Sequence, residues 1–127
     1  MAFIKFNANP FKNRRSDCVI RAISALTGES WDNVYIDLSL QGFLMKDIMV
    51  SNDVWGSYLS QLGYDKFVCS AFEGCWTIRE FAKIFNDGYY LACTGSHVVA
   101  VIDGDYYDTW DSGDEIVDYY WRKENNQ

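Results

Sequence analysis

Cys18, His97 and Asp108 are the residues whose types and order could do chemistry together. Cys18 lies near the front of Ser16-Asp17-Cys18-Val19-Ile20-Arg21-Ala22-Ile23-Ser24-Ala25-Leu26-Thr27-Gly28. Apolar residues at 19, 20, 22, 23, 25 and 26 predict an amphipathic helix with a broad buried face, capped by Asp17 and ended by Gly28 in a left-handed conformation. Cys18 then takes the first helical position. Unpaired backbone N–H groups and the positive end of the helix dipole favour thiolate over thiol there, and a thiolate is a nucleophile.

A thiolate needs a base, and the chain has one histidine. His97 precedes the β-branched run Val98 to Ile102, Asp103-Gly104-Asp105 is hairpin-turn chemistry, and Tyr106 to Trp110 is strand-prone again. His97 therefore begins one strand and Asp108 lies on the strand that returns beside it. An acid on a neighbouring strand can hold an imidazole in the tautomer that a general base requires. A turn at Gly104-Asp105 is expected to pair Val101 with Asp108, and one at Asp103-Gly104 to pair Val99 with Tyr106. Neither sets Asp108 directly opposite His97, so a bulge or a diagonal approach is needed, with Asp111 as the alternative orienter.

The order Cys18, His97, Asp108, with the cysteine at a helix start and the histidine on a hairpin, resembles a minimal papain-like cysteine peptidase. The closest forms are the bacteriocin-leader-processing peptidases, which also place an acid before the cysteine, and small papain-like proteins of phages and bacteria. The resemblance spans residue 13 to about 113. In that family a side-chain amide several residues before the cysteine, usually glutamine, joins the cysteine's backbone N–H in the oxyanion hole. Here the residue that could serve is Asn13, and Val19 stands where the leader peptidases carry glycine. The resemblance implies hydrolysis of an amide in a protein or peptide. Cys18 would attack, His97 would carry the proton, Asp108 would orient it and Asn13 would stabilise the oxyanion. Peptide cleavage, side-chain deamidation and transamidation share that machinery. The alternative is a non-catalytic phage-type binding protein that sequesters a host factor on the same scaffold, and a third reading is a structural domain with a coincidental triad.

The elements that must position these residues can be read in order. Met1 to Phe6 alternates like a short edge strand, and Asn7 to Pro10 turns the chain toward Cys18. After the first helix, Ser30 caps a second through Leu38, residues 39 to 52 are expected to form a loop beside the cleft, and Asn52 or Asp53 caps a third helix to about Leu62. Tyr64 to Ala71 is strand-like, Thr77 caps a fourth helix over Ile78 to Phe85, Tyr89 to Thr94 is a buried strand, and Glu115 to Trp121 adds a last one. The expected architecture is α+β, with N-terminal helices packed on a C-terminal antiparallel sheet. Trp31, Trp55, Trp76 and Trp110 are candidate cleft walls, Trp110 foremost.

Length and charge narrow the possibilities. A chain of 127 residues is expected to form one domain that buries roughly two thirds of its unfolded surface without disulfides. Cys18, Cys69, Cys75 and Cys93 show no paired metal-ligand spacing, so no metal or cofactor is expected and all four read as reduced thiols in a cytosolic setting, the host cytoplasm if phage-encoded. No stretch resembles a signal peptide or reaches about 20 apolar residues, so no membrane association is expected. With 18 acids, 11 bases and a net charge of −7, the chain would repel a nucleic-acid backbone on average. Lys5, Lys12, Arg14 and Arg15 are a basic exception that could raise the potential around Cys18, whereas the acidic half from Asp103 to Asp118 would favour a basic partner. The composition sets no oligomeric state.

Activation of one thiol has a direct readout. An iodoacetamide-type reagent is expected to alkylate Cys18 ahead of Cys69, Cys75 and Cys93, as followed by peptide mass spectrometry; equal or slower modification of Cys18 would count against it.

Overall fold

The computed structural model describes residues 2–12, 17–69 and 75–123. The described elements are, in chain order, β1 (Ala2–Lys5), α1 (Cys18–Thr27), α2 (Trp31–Met45), α3 (Asn52–Gln61), β2 (Tyr64–Val68), α4 (Ile78–Ile84), β3 (Tyr89–Cys93), β4 (Val98–Ile102), β5 (Asp105–Asp108) and β6 (Tyr119–Lys123). The strands form a sheet of order β1-β5-β4-β3-β6-β2. β1 pairs with β5 in parallel, and every other neighbouring pair is antiparallel. The fold is α+β. No helix among the described residues is long and apolar enough to cross a membrane.

The sheet is covered on both faces, which explains why its central strands are apolar throughout rather than alternating. Leu91 and Cys93 of β3 and Val98 and Ala100 of β4 pack with Ile23, Leu38, Trp55 and Leu59, drawn from α1, α2 and α3. The intervening residues Tyr90, Ala92, Val99 and Val101 face the other way and meet Ile78, Phe81 and Ala82 of α4. Each large side chain buried in these layers contributes roughly 1.5–3 kcal/mol. The expected helices-on-sheet arrangement is therefore correct for α1 to α3. It is incomplete for α4, which lies on the opposite face, and for β1, a parallel edge strand from the chain's start.

Local chemistry accounts for the boundaries. Gly28 ends α1 at φ 76°, its N–H bonded to Ser24 O at 2.9 Å. Ser30 caps α2 through a bond from Asn33 N at 3.1 Å, and Thr77 and Glu80 form a capping box on α4. Two expectations need correction. Residues 39 to 45 are helical rather than loop: α2 continues to Met45 and stops at Lys46 in the left-handed region. Leu40, Phe43 and Leu44 are exposed on it, so the apolar pattern has no clean spacing to betray the helix. Ser51, one residue before the expected caps, holds the first turn of α3 by accepting from Val54 N at 3.3 Å, and Asn52 instead accepts from Trp55 Nε1.

The β4–β5 hairpin turns at Asp103-Gly104, both at positive φ, and pairs Ile102 with Asp105, Val101 with Tyr106 and Ala100 with Tyr107. The expected pairings of Val101 with Asp108 and Val99 with Tyr106 are both displaced. Carried one pair further, to the last residue of β5, the observed register sets Asp108 across from Val99, two residues from His97, so acid and imidazole approach diagonally and no bulge is needed.

The turn from α2 to α3 carries a test of packing. A Cβ at Gly42 would stand 2.7 Å from Asp47 O and 3.2 Å from Met49 N. Alanine inside a helix normally gains up to about 1 kcal/mol over glycine, but forced repacking costs about 1–3 kcal/mol. Gly42→Ala is thus expected to lower the urea midpoint, and a raised midpoint would show that the turn yields freely.

Candidate active site

α1 lies against β4, so its first residue meets the end of the strand that His97 precedes. Cys18, His97 and Val98 line one cleft, and the imidazole and the Val98 N–H are near enough to the sulfur to lower the thiol's pKa. His97 Nε2 is 2.6 Å from Asp108 Oδ2, which leaves Nδ1 as the ring nitrogen for the sulfur. The Asp108 side chain is almost wholly buried, and it is well supplied with donors: Ser112 Oγ donates to Oδ2 at 2.7 Å and Thr109 N to Oδ1 at 2.7 Å. Trp110 stacks on His97 with ring centroids 5.2 Å apart. Imidazole rotation is thus limited by a ring on its face and a fixed carboxylate at its edge.

Electrostatics follow from these contacts. Burial alone would push the Cys18 thiol up, but the bonds from His97 and Val98 N–H, with the charges of His97 and Arg21, bring it below its ordinary value. Burial likewise opposes charge on His97; the bonds to Asp108 and Cys18 outweigh it and push the imidazole up to about 9. Both shifts favour a thiolate–imidazolium pair. Burial pushes Cys93 up to about 12 and Cys69 to about 11, the opposite direction. Cys18, Cys69, Cys75 and Cys93 are all free thiols.

Asp17 does not cap α1 with its side chain, contrary to expectation. The buried carboxylate instead pairs with Arg21 and accepts from Trp31 Nε1 at 2.9 Å and from Asn9 Nδ2 at 3.5 Å. It ties the approach of residues 7–12 and the start of α2 to the first turn of α1. Trp31 is thereby a structural donor. Trp76 packs against Phe81 of α4 and Phe85 just after it, among residues of the opposite sheet face, so it is not a cleft wall. Asp111, the alternative orienter, accepts from Tyr106 Oη and Gly113 N and faces Arg79. The imidazole falls to Asp108. Asn13, Arg14 and Arg15 lie outside the described residues, and Lys12 Nζ donates to Asn7 O.

A cleft of about 270 Å³ opens at the pair, with Val50, Asn52, Trp55, Ser96, Asp118 and Tyr119 among its lining. A larger cavity, about 940 Å³, lies at the opposite end of the sheet among Tyr58, Tyr64, Asp87 and Asp103, with no member of the Cys18–His97–Asp108 chain. Cys18 and His97 both line the smaller one. Residue types alone did not reveal the two donors on Asp108, the Val98 N–H or the Arg21 charge. Ser112 offered only a turn signal, and Arg21 stood on the helix three residues past the thiol.

Compared with protein-family models, curated proteins and solved structures, the chain gives no match.

Removing the charge of Asp108 tests the relay. In Asp108→Asn, His97 loses the partner that holds it protonated, and Cys18 loses part of what holds it ionised. Cys18 alkylation at pH 6 is expected to slow about tenfold for each unit that the thiol rises. An unchanged rate would show that Asp108 does not act on the thiol.

Proposed function

We propose that the protein is a cysteine-dependent hydrolase acting on an amide bond of a protein or peptide, with a papain-like arrangement of Cys18, His97 and Asp108. The observation that carries this reading is the placement of the Cys18 thiol beside an imidazole that a buried carboxylate holds at 2.6 Å, both at an open cleft. The Cys18 thiolate adds to the amide carbonyl carbon, and the oxygen gains negative charge. The Cys18 backbone N–H at the start of α1 is the donor expected to stabilise that charge, and Asn13 is assigned as the second by the family resemblance alone. Collapse of the adduct breaks the carbon–nitrogen bond as His97 gives its proton to the departing nitrogen. Water then attacks the thioester, His97 takes its proton, and the acid and free thiol are released.

A backbone amide gives peptide cleavage, a glutamine or asparagine side chain gives deamidation, and a competing amine in place of water gives transamidation. The cycle needs Cys18 reduced, which suits a reducing compartment.

The pH dependence follows from the two partners. Turnover requires Cys18 ionised and His97 protonated, so it should rise with pH as the lowered thiol deprotonates and fall as pH passes the imidazole value of about 9. Cys18→Ala should abolish hydrolysis of a peptide mixture, read by mass spectrometry as new termini or deamidated side chains, while its circular dichroism stays that of the parent. Persistent hydrolysis in that variant would overturn the proposal, and tight binding of a protein partner unaffected by both Cys18→Ala and His97→Ala would favour the sequestering alternative.

A further inference from the structure

Asp118 introduces a charge into the cleft that the reaction itself does not require. Among the described cleft-lining residues it is the one carboxylate, and none of them is a lysine or arginine. Its main chain is fixed on both sides. Asp118 N donates to Cys93 O at 2.8 Å at the end of β3, and its own carbonyl accepts Cys69 N at 3.0 Å. The side chain is exposed, and no described cation forms an ion pair with it. Lys66, the nearby base, lies over the Tyr119 ring 4.5 Å from its centroid instead.

The other acids around the site are committed elsewhere. Asp17 is held by Arg21 and Trp31, and Asp108 is buried on His97. Asp118 precedes β6, and the strand order places β6 beside β3 and β3 beside β4, which begins one residue after His97. Two strand spacings amount to about 10 Å along the end of the sheet, within the span of a long side chain on an extended substrate. In the same lining, Tyr119 and Val50 offer apolar surface to an aliphatic stem whose head is charged.

We propose that Asp118 selects substrates with lysine or arginine beside the amide that is attacked. This rests on the hydrolase reading and names its substrate class. An acidic segment would meet repulsion from Asp118 with no lysine or arginine among the described lining residues to offset it, and the His97 imidazolium is already engaged by Asp108 and the Cys18 thiolate. The chain's net charge of −7 acts in the same direction at longer range.

The test incubates the intact protein with a defined peptide library and reads altered amides by mass spectrometry, as new termini or as deamidated side chains. Lysine or arginine within two residues of the altered amide should be favoured over glutamate or aspartate by about tenfold at low salt, with the ratio shrinking as salt is added. Using the ratio cancels any change in the thiol's own reactivity. In Asp118→Asn the ratio should fall toward one, and in Asp118→Lys it should invert. Altered amides with no charge preference, or a preference that survives Asp118→Asn, would overturn the selectivity while leaving the hydrolase reading intact. A library left wholly unaltered would overturn both.

Discussion

The Cys18 sulfur is subject to two opposing demands, and the site depends on which prevails. Packing α1 onto β4 removes much of the water from the thiol, which alone favours its neutral form. The same packing brings His97 and the Val98 N–H to the sulfur, and their pull is the stronger. Burial and activation are therefore not alternatives here. A more exposed thiol would lose the donors, and a more deeply buried one would resemble Cys93, whose ionisation burial suppresses.

That balance requires a rigid seat for the imidazole, and the hairpin supplies it. The turn at Asp103-Gly104 sets the β4–β5 register, the register carries Asp108 to a diagonal position, and Ser112 and Thr109 hold its carboxylate there. A shift by one residue would move Asp108 to the other face of β5. Because the sheet is buried on both sides, such a slip would also turn Tyr106 and Tyr107 of β5 out of their layers. The core thus protects the register on which the acid–imidazole contact relies.

The sequence disclosed the site's members better than their support. The cysteine at the helix start, the histidine before the β-branched run and the acid on the return strand were legible because each falls at an element boundary with strong local signals, namely Gly28, the Val98–Ile102 run and Asp103-Gly104. The α+β class was legible for the same reason. Periodicity failed where burial was not one-sided. α2 beyond Leu38 carries outward apolar residues, so its last turns read as loop, and the unbroken apolar runs of β3 and β4 call for cover on both faces without naming α4 as the element that supplies it. Contacts that depend on the tertiary fold, such as Ser112 on Asp108, have no local signature.

Asp17 shows how the neighbouring charges are kept from opposing the thiolate. A carboxylate one residue before an ionised thiol should repel the negative charge on sulfur, and at an N-cap it would also occupy the first-turn N–H groups. The structure avoids both. Its side chain turns away from the cap to Arg21, Trp31 and Asn9, so a guanidinium one helical turn along offsets the charge. Arg21 then acts on both sides of α1's first turn, neutralising Asp17 and adding its own attraction to the thiolate. An acid that reads in sequence as a helix cap is, in three dimensions, the anchor of the loop and helix that frame Cys18. Removing it would expose the thiolate to a changed field and release the frame at once, so the position couples the stability of α1 to the reactivity of its first residue.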